Sequence, residues 1–218
     1  MGLAVITGIY GSSDNLRELP HGHGFQDAVC VTDNPNLVSE TWRVVHEPRP
    51  QLSPRLAAKT PKMVPWIYTN ETASVWVDGS MQIVDKRFHE FAADHLQRFD
   101  FVAWRHPEAR DCLYQEAAYC QDWPKYRNEN IRGQVEHYRQ QSMPEHYGLF
   151  AAGTIGMNHV PAIRRFGEMW LAHQHRWSIQ DQISLPFLAW TTRQTIGTWS
   201  EHQYHNDLIV WHKHNNDN

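Results

Sequence analysis

The sequence predicts an α/β fold built on a mixed, mostly parallel sheet flanked by helices. Three observations carry this. Short apolar runs alternate with helical patterns through the first hundred residues. The opening run, Leu3 to Ile9, is apolar on both faces, as a central strand is. Val75-Trp76-Val77 is a second such run, stopped abruptly by Asp78-Gly79. An open α/β sheet places its ligands at the carboxyl ends of its strands, and Asp78 stands at such an end. The bare reading of Asp78-Gly79 is a tight turn; the functional reading is a carboxylate that holds a divalent cation, with a glycine admitting the ligand.

The elements follow in order. After strand one, Tyr10-Gly11 is either an exposed loop or a ring that stacks on a nucleotide base. Asp27 to Val31 is the second strand, and Asp33 just beyond it either bonds a base or ribose or opens an Asx turn. Trp42 to Val45 is a third strand. Pro54 opens a short helix through Lys59 that Pro61 ends, with Arg55 and Lys59 one turn apart on one face. Lys62 then need not share that face. The cations either clamp phosphate or form a solvated surface. Ile83 to Phe99 reads as a helix, Asp100 to Trp104 as a strand, Asp111 to Gln121 and Asn130 to Gln141 as helices. Phe150 to Ile155 is a strand of small residues, Pro161 opens a helix with Ile163, Phe166 and Trp170 inward, and Ser178 caps a last helix that continues towards Trp190.

The chain has 218 residues and a formal net charge of -4. That length suits one domain, and the charge does not suggest a chain built mainly to grip nucleic acid or an anionic membrane. The apolar start is too short to span a membrane and lacks a basic leader, so no signal peptide is expected. Cys30, Cys112 and Cys120 have no metal-type spacing and read as reduced thiols of a cytoplasmic protein. Fifteen histidines and ten tryptophans are unusual, the first offering metal ligands or sugar contacts, the second flat rings for a carbohydrate groove.

Read together, Tyr10-Gly11, Thr32-Asp33, Pro54 to Lys62, Trp76-Val77-Asp78-Gly79-Ser80, Arg105-His106-Pro107 with Asp111-Cys112-Leu113-Tyr114-Gln115-Glu116, Gly148-Leu149 with Gly153, and Asp181-Gln182 form an ordered series. The series resembles the glycosyltransferase-like family of plant turgor-regulation and mucilage-related proteins, which also occurs in bacteria and phages. The resemblance covers roughly residues 3 to 195. It implies a GT-A-type fold, with a nucleotide-sugar-binding half over about residues 1–105 and an acceptor-binding half with the tail over about 106–218. It also implies a nucleotide-sugar donor, UDP-linked, and a divalent metal, Mn²⁺ or Mg²⁺. The family's Asp-x-Asp motif reads Asp78-Gly79-Ser80 here, a hydroxyl replacing the second carboxylate. A tail histidine, His212 or His214, is then expected to complete the metal site with Asp78 and Ser80.

The resemblance assigns Tyr10, Asp33, Arg55, Lys59, Lys62, Asp78, Gly79 and Gln182 to the donor. It assigns Asp181, Arg105 and His106 to the reacting sugar and acceptor, Asp181 orienting hydroxyls or serving as a base. The helix-dipole alternative for Asp181 stands beside that role. The acceptor is a glycan or, in a phage, a modified nucleobase. A non-catalytic nucleotide-sugar or glycan-binding protein is the competing function, and a hydrolase a third, because fold does not fix chemistry.

Overall fold

The computed structural model describes residues 2–108 and 110–215. Its strands are β1 (Leu3–Ile9), β2 (Asp27–Thr32), β3 (Arg43–His46), β4 (Ala73–Val77), β5 (Met81–Ile83), β6 (Phe101–Arg105), β7 (Phe150–Asn158), β8 (Gly197–Thr198) and β9 (Ile209–Trp211). The helices are α1 (Pro54–Ala57), α2 (Lys59–Met63), α3 (Phe88–Leu96), α4 (Leu113–Gln121), α5 (Ile131–Gln140), α6 (Pro161–Arg176) and α7 (Asp181–Thr192). Seven strands form one sheet in the order β3-β2-β1-β4-β7-β6-β8, while β5 and β9 pair separately. β1, β2, β3 and β4 run parallel to one another, β7 is antiparallel to both neighbours, and β8 is parallel to β6. The fold is therefore the mixed, mostly parallel α/β class that the strand pattern predicts.

Strand alternation divides the core between the two faces of the sheet. Ala4 and Ile6 of β1 and Trp76 of β4 join the cluster that holds α2, α6 and α7 residues such as Met63, Trp170 and Leu185. Leu3, Val5 and Ile9 of β1 and Val75 and Val77 of β4 join the opposite cluster, with Phe88 and Leu96 of α3. The two-sided burial of β1 follows directly, and β4 is buried at all five residues. Among the described residues no helix is long and apolar enough to cross a membrane. The three cysteines are free and buried.

Four local expectations are corrected. The helix that Pro54 opens stops at Ala57, so Arg55 and Lys59 do not share one helix face, and Pro61 does not end it: Pro61 sits in the first turn of α2, where a missing N–H costs nothing, so Lys59 and Lys62 lie on one short helix. The stretch from Ile83 opens as strand β5, and the helix starts only at Phe88. The third strand is shifted to Arg43–His46. Ser178 does not cap α7: its hydroxyl donates to Gln134 Oε1 at 2.6 Å, and Gln180 occupies the cap position without a side-chain cap.

α6 holds α2 against the sheet through Gly167, where an added Cβ would stand 2.0 Å from Met63 O and 2.7 Å from the Trp66 ring. Backbone sets that distance, so no side chain can give way. Gly167→Ala is expected to destabilise the fold by about 1–3 kcal/mol through overpacking. Urea denaturation checks this, and an unchanged midpoint would contradict the close packing of α6 on α2.

Candidate functional site

β4 ends at Val77, and the same alternation that turns Trp76 towards α2 and α7 turns Asp78 to that side. Trp76 Nε1 donates to Asp78 Oδ1 at 2.5 Å, and Lys62 Nζ lies 3.2 Å from the same oxygen. Lys62 Nζ also reaches Asp181 Oδ2 at 2.5 Å, and Lys59 Nζ reaches Asp181 Oδ1 at 2.6 Å. Two ammonium groups from α2 thus meet one carboxylate from β4's end and one from the first turn of α7. The Lys62 and Asp181 side chains are almost wholly buried, 3% and 8% exposed, while Asp78 keeps 37% of its side chain exposed.

Burial disfavours the charges of Asp181, Lys62 and Lys59, and the partners decide the outcome. For Asp181 burial pushes the carboxyl up, but Lys59 and Lys62 more than offset this and hold it below the usual carboxylate range. Burial pulls Lys62 down, and Asp181 and Asp78 together raise it above the ordinary lysine value. Lys59 has Asp181 as its principal opposite charge and remains lowered by burial. The cluster is balanced, two cations against two anions, and its geometry fixes both carboxylates.

Asp78 and Asp181 line a cleft of about 550 Å³, together with Ser80, His106, Arg110, Glu116, Gly153, Gln180, Gln182, Gln203 and His214. In the same lining, Glu116 is 2% exposed and fully engaged. Its Oε2 accepts from Arg110 Nε at 3.0 Å and its Oε1 from Gln180 Nε2 at 2.9 Å. His106 Nδ1 accepts the Glu108 N–H at 3.3 Å, and its Nε2 stands 3.4 Å from Arg110 Nη2 and 3.6 Å from Glu116 Oε2. Burial lowers the His106 pKa, with Glu116 opposing, so the imidazole is neutral at pH 7. At the mouth stand four half-exposed rings in two pairs, Tyr119 with Trp123 at 5.7 Å and Tyr204 with Trp211 at 6.2 Å between centroids.

The structure thus gathers Asp78, Ser80, His106, Asp181, Gln182 and His214 around one cleft. Other residues singled out in the sequence stand elsewhere. Lys59 and Lys62 lie behind the cleft wall, their charges engaged by Asp181 and Asp78. Arg55 is exposed on α1. Tyr10 is not an exposed ring: it is buried, its hydroxyl donates to Glu47 O at 3.1 Å, and burial pushes its pKa up to about 12. Asp33 accepts the Gly11 N–H at 3.1 Å, which closes the loop after β1. Gly79 is needed for packing, because a Cβ there would stand 2.8 Å from both Ile9 and Asp14. Arg105 is exposed and lines a second cleft with Asp111 and His146. His212 Nε2 pairs with Gln82 Oε1 at 3.0 Å, and His214 Nδ1 with Asp14 Oδ1 at 2.7 Å.

Sequence reasoning missed Arg110, Gln180 and Gln203 as cleft residues and treated Glu116 only as part of a motif. A charge four residues before Cys120 on an otherwise apolar helical stripe was the available signal for Glu116. Nothing local marks Gln203.

Asp181→Asn leaves two buried ammonium groups facing an amide. The expected loss is about 3–5 kcal/mol at pH 7, read by urea denaturation. A depressed carboxylate pKa contributes stability above its unfolded value of about 3.9 and loses it as pH falls through the folded value. The gap between wild type and variant should therefore narrow below about pH 4. Equal stability at pH 7 would mean that the cluster does not hold the two elements together.

No curated protein matches the chain. Among solved structures, mouse xyloside xylosyltransferase 1 in its apo form superposes with a TM-score of 0.47 at 10% identity, over 89% of this chain and 83% of that one. The family model described as TOD1/MUCI70, glycosyltransferase-like domain, matches residues 23–214. The chain belongs to the TOD1/MUCI70 glycosyltransferase-like family.

Proposed function

We propose that the cleft transfers a glycosyl group from a nucleotide-sugar donor, a UDP-sugar, to a hydroxyl of a glycan acceptor, assisted by Mn²⁺ or Mg²⁺. The observation that carries this reading is Asp78: one oxygen is pinned by Trp76 and Lys62 while the side chain stays 37% exposed at the strand end, lining the cleft. Membership of a glycosyltransferase-like family supports it.

Among the described residues no three His, Cys, Asp or Glu side chains are grouped as a metal site, so the ion in this reading is one shared with a diphosphate, which needs only one or two protein carboxylates because substrate phosphates and water complete the shell. Asp78 would hold it, with the Ser80 hydroxyl beside it in the same cleft and His214 at the rim. When bound, the ion supplies positive charge against the departing diphosphate. The protein's own part is placement. The buried lysines set the angle of Asp78 and Asp181 before any ligand arrives, so little reorganisation is needed. Lys125 and Arg110, the latter ion-paired to Glu108 and Glu116, line the cleft itself and are further candidates for phosphate contact. Neutral His106 lines the cleft and suits contact with a sugar hydroxyl. Asp181 acts by positioning, since both of its oxygens are held by lysine.

The aromatic pairs at the mouth support a glycan acceptor. Sugar rings present apolar C–H faces that stack on flat side chains, and Trp123 and Trp211 are 44% and 43% exposed beside cleft carboxamides.

Two outcomes are expected. Asp78→Asn should abolish Mn²⁺-dependent UDP binding in calorimetry while the thermal unfolding midpoint changes little, because the Lys62–Asp181 pair survives. Undiminished affinity would remove Asp78 from the donor site. Trp123→Ala should keep UDP affinity and weaken capture of oligosaccharides on a glycan array by roughly tenfold, the scale of a lost ring contact. Equal losses for nucleotide and glycan, or none, would contradict an acceptor role for that ring.

A further inference from the structure

The second cleft, at the carboxyl end of β6, carries chemistry that the donor reading does not use. Its volume is about 520 Å³, and Arg105, Asp111, His146, Tyr147 and Thr198 line it. That volume is in the range of small-ligand sites. Arg105 is the last residue of β6 and the exposed one of its five. The carboxylates close to it in sequence are taken by other cations. Glu108 and Glu116 pair with Arg110 at 2.8 and 3.0 Å, and Asp111 pairs with His146 at 2.6 Å. Hydrogen bonding to Asp111 and its charge raise the His146 pKa, so those two charges cancel when the ring is protonated. Among the described residues Arg105 is left as the lining charge without a counter-ion.

The rest of the lining suits a sugar. The loop before β7 is tied down, because Gly148 N–H donates to Asp111 O at 2.9 Å. Gly148 has a φ of +108°, which glycine adopts without strain. Tyr147, beside it, is 45% exposed and offers a flat ring to the C–H face of a sugar. The Asp111 carboxylate, 58% exposed, and the Thr198 hydroxyl can accept sugar O–H groups. An arginine without a counter-ion matches a carboxylate through two parallel N–H bonds. Asp111 in the same lining disfavours a dianionic phosphate, which one arginine cannot offset. His106 and Arg110 line both clefts, so the two adjoin.

We propose that the second cleft binds a hexuronate residue of the acceptor glycan, its carboxylate on Arg105 and its ring against Tyr147. The reacting residue of the same glycan then lies in the first cleft, across His106 and Arg110. The acceptor role rests on the donor reading above; the binding of an acidic sugar does not. Arg105 becomes a specificity residue for the acceptor, with no contact to the nucleotide.

The test measures trimannuronate and trigalacturonate by calorimetry, each beside its carboxyl methyl ester, without nucleotide or metal. Wild type, Arg105→Gln and Arg105→Lys are compared, and UDP is titrated into each separately in Mn²⁺. Wild type is expected to bind at least one acid about tenfold or more tightly than its ester, the scale of a charged hydrogen bond. Arg105→Gln should bring that acid down to the ester's affinity, Arg105→Lys should restore part of the gap, and UDP affinity should stay as in wild type. Comparing acid with ester on wild type tests the site even if a variant fails to fold. Equal binding of acid and ester, no binding of either, or an undiminished acid affinity in Arg105→Gln would overturn the hexuronate site and leave the donor reading standing. If the acid preference depends on Arg105 but wild type binds no UDP, the donor reading fails, and the acceptor role falls with it.

Discussion

The buried pairing of two lysines with two carboxylates is the constraint on which the rest of the site depends. Lys59 and Lys62 come from a five-residue helix, Asp78 from the end of the central strand β4, and Asp181 from the first turn of α7. These elements are far apart in sequence, and the cluster joins them at one point. Buried ion pairs contribute little net stability against well-packed apolar residues, because desolvation offsets most of the attraction. Their value here is directional. Each carboxylate is held by identified donors, so Asp78 is presented to the cleft at a fixed angle, whereas a lone aspartate at a strand end would sample several rotamers. α7 gains as well, because the Asp181 carboxylate stands at its positive end.

The Glu116 group in the cleft lining solves the same problem differently. Glu116 is deeply buried and takes Arg110 and Gln180 as partners, with His106 alongside. Both sets of fixed polar groups line one cleft, together with the half-exposed rings of Tyr119, Trp123, Tyr204 and Trp211. That combination suits a ligand with a charged, hydrogen-bonding end and a flatter, less polar end.

Much of the fold was legible in the sequence because hydrophobic periodicity reports burial, and burial defines the strands. β1 and β4, apolar on both faces, could only be central. The inward stripe of α6, Ile163, Phe166 and Trp170, was equally plain and is fully buried. The three-residue pair β5 and β9 was not legible, since each strand exists through a partner more than a hundred residues away. Pro61 misled because its effect depends on position within the helix: at the first turn it is harmless, and that placed Lys62 beside Lys59. Within the site, residues at strand ends were found because the sheet fixes where they point. Tyr10 and Asp33 fell at the right edge, yet turned to Glu47 and Gly11, partners that only the folded loop supplies. Arg110, Gln180 and Gln203 carry no local pattern, and their place in the cleft is wholly a tertiary fact.

The central claim is that the cleft between Asp78 and Glu116 is the donor site, pre-shaped by the lysine cluster. A crystal structure of the chain with Mn²⁺ and UDP tests it most directly. The account predicts density for the diphosphate in this cleft against Asp78, with Lys59 and Lys62 still bound to Asp181. A diphosphate seated on Lys59 and Lys62 in place of Asp181, or in the second cleft beside Arg105, would contradict it.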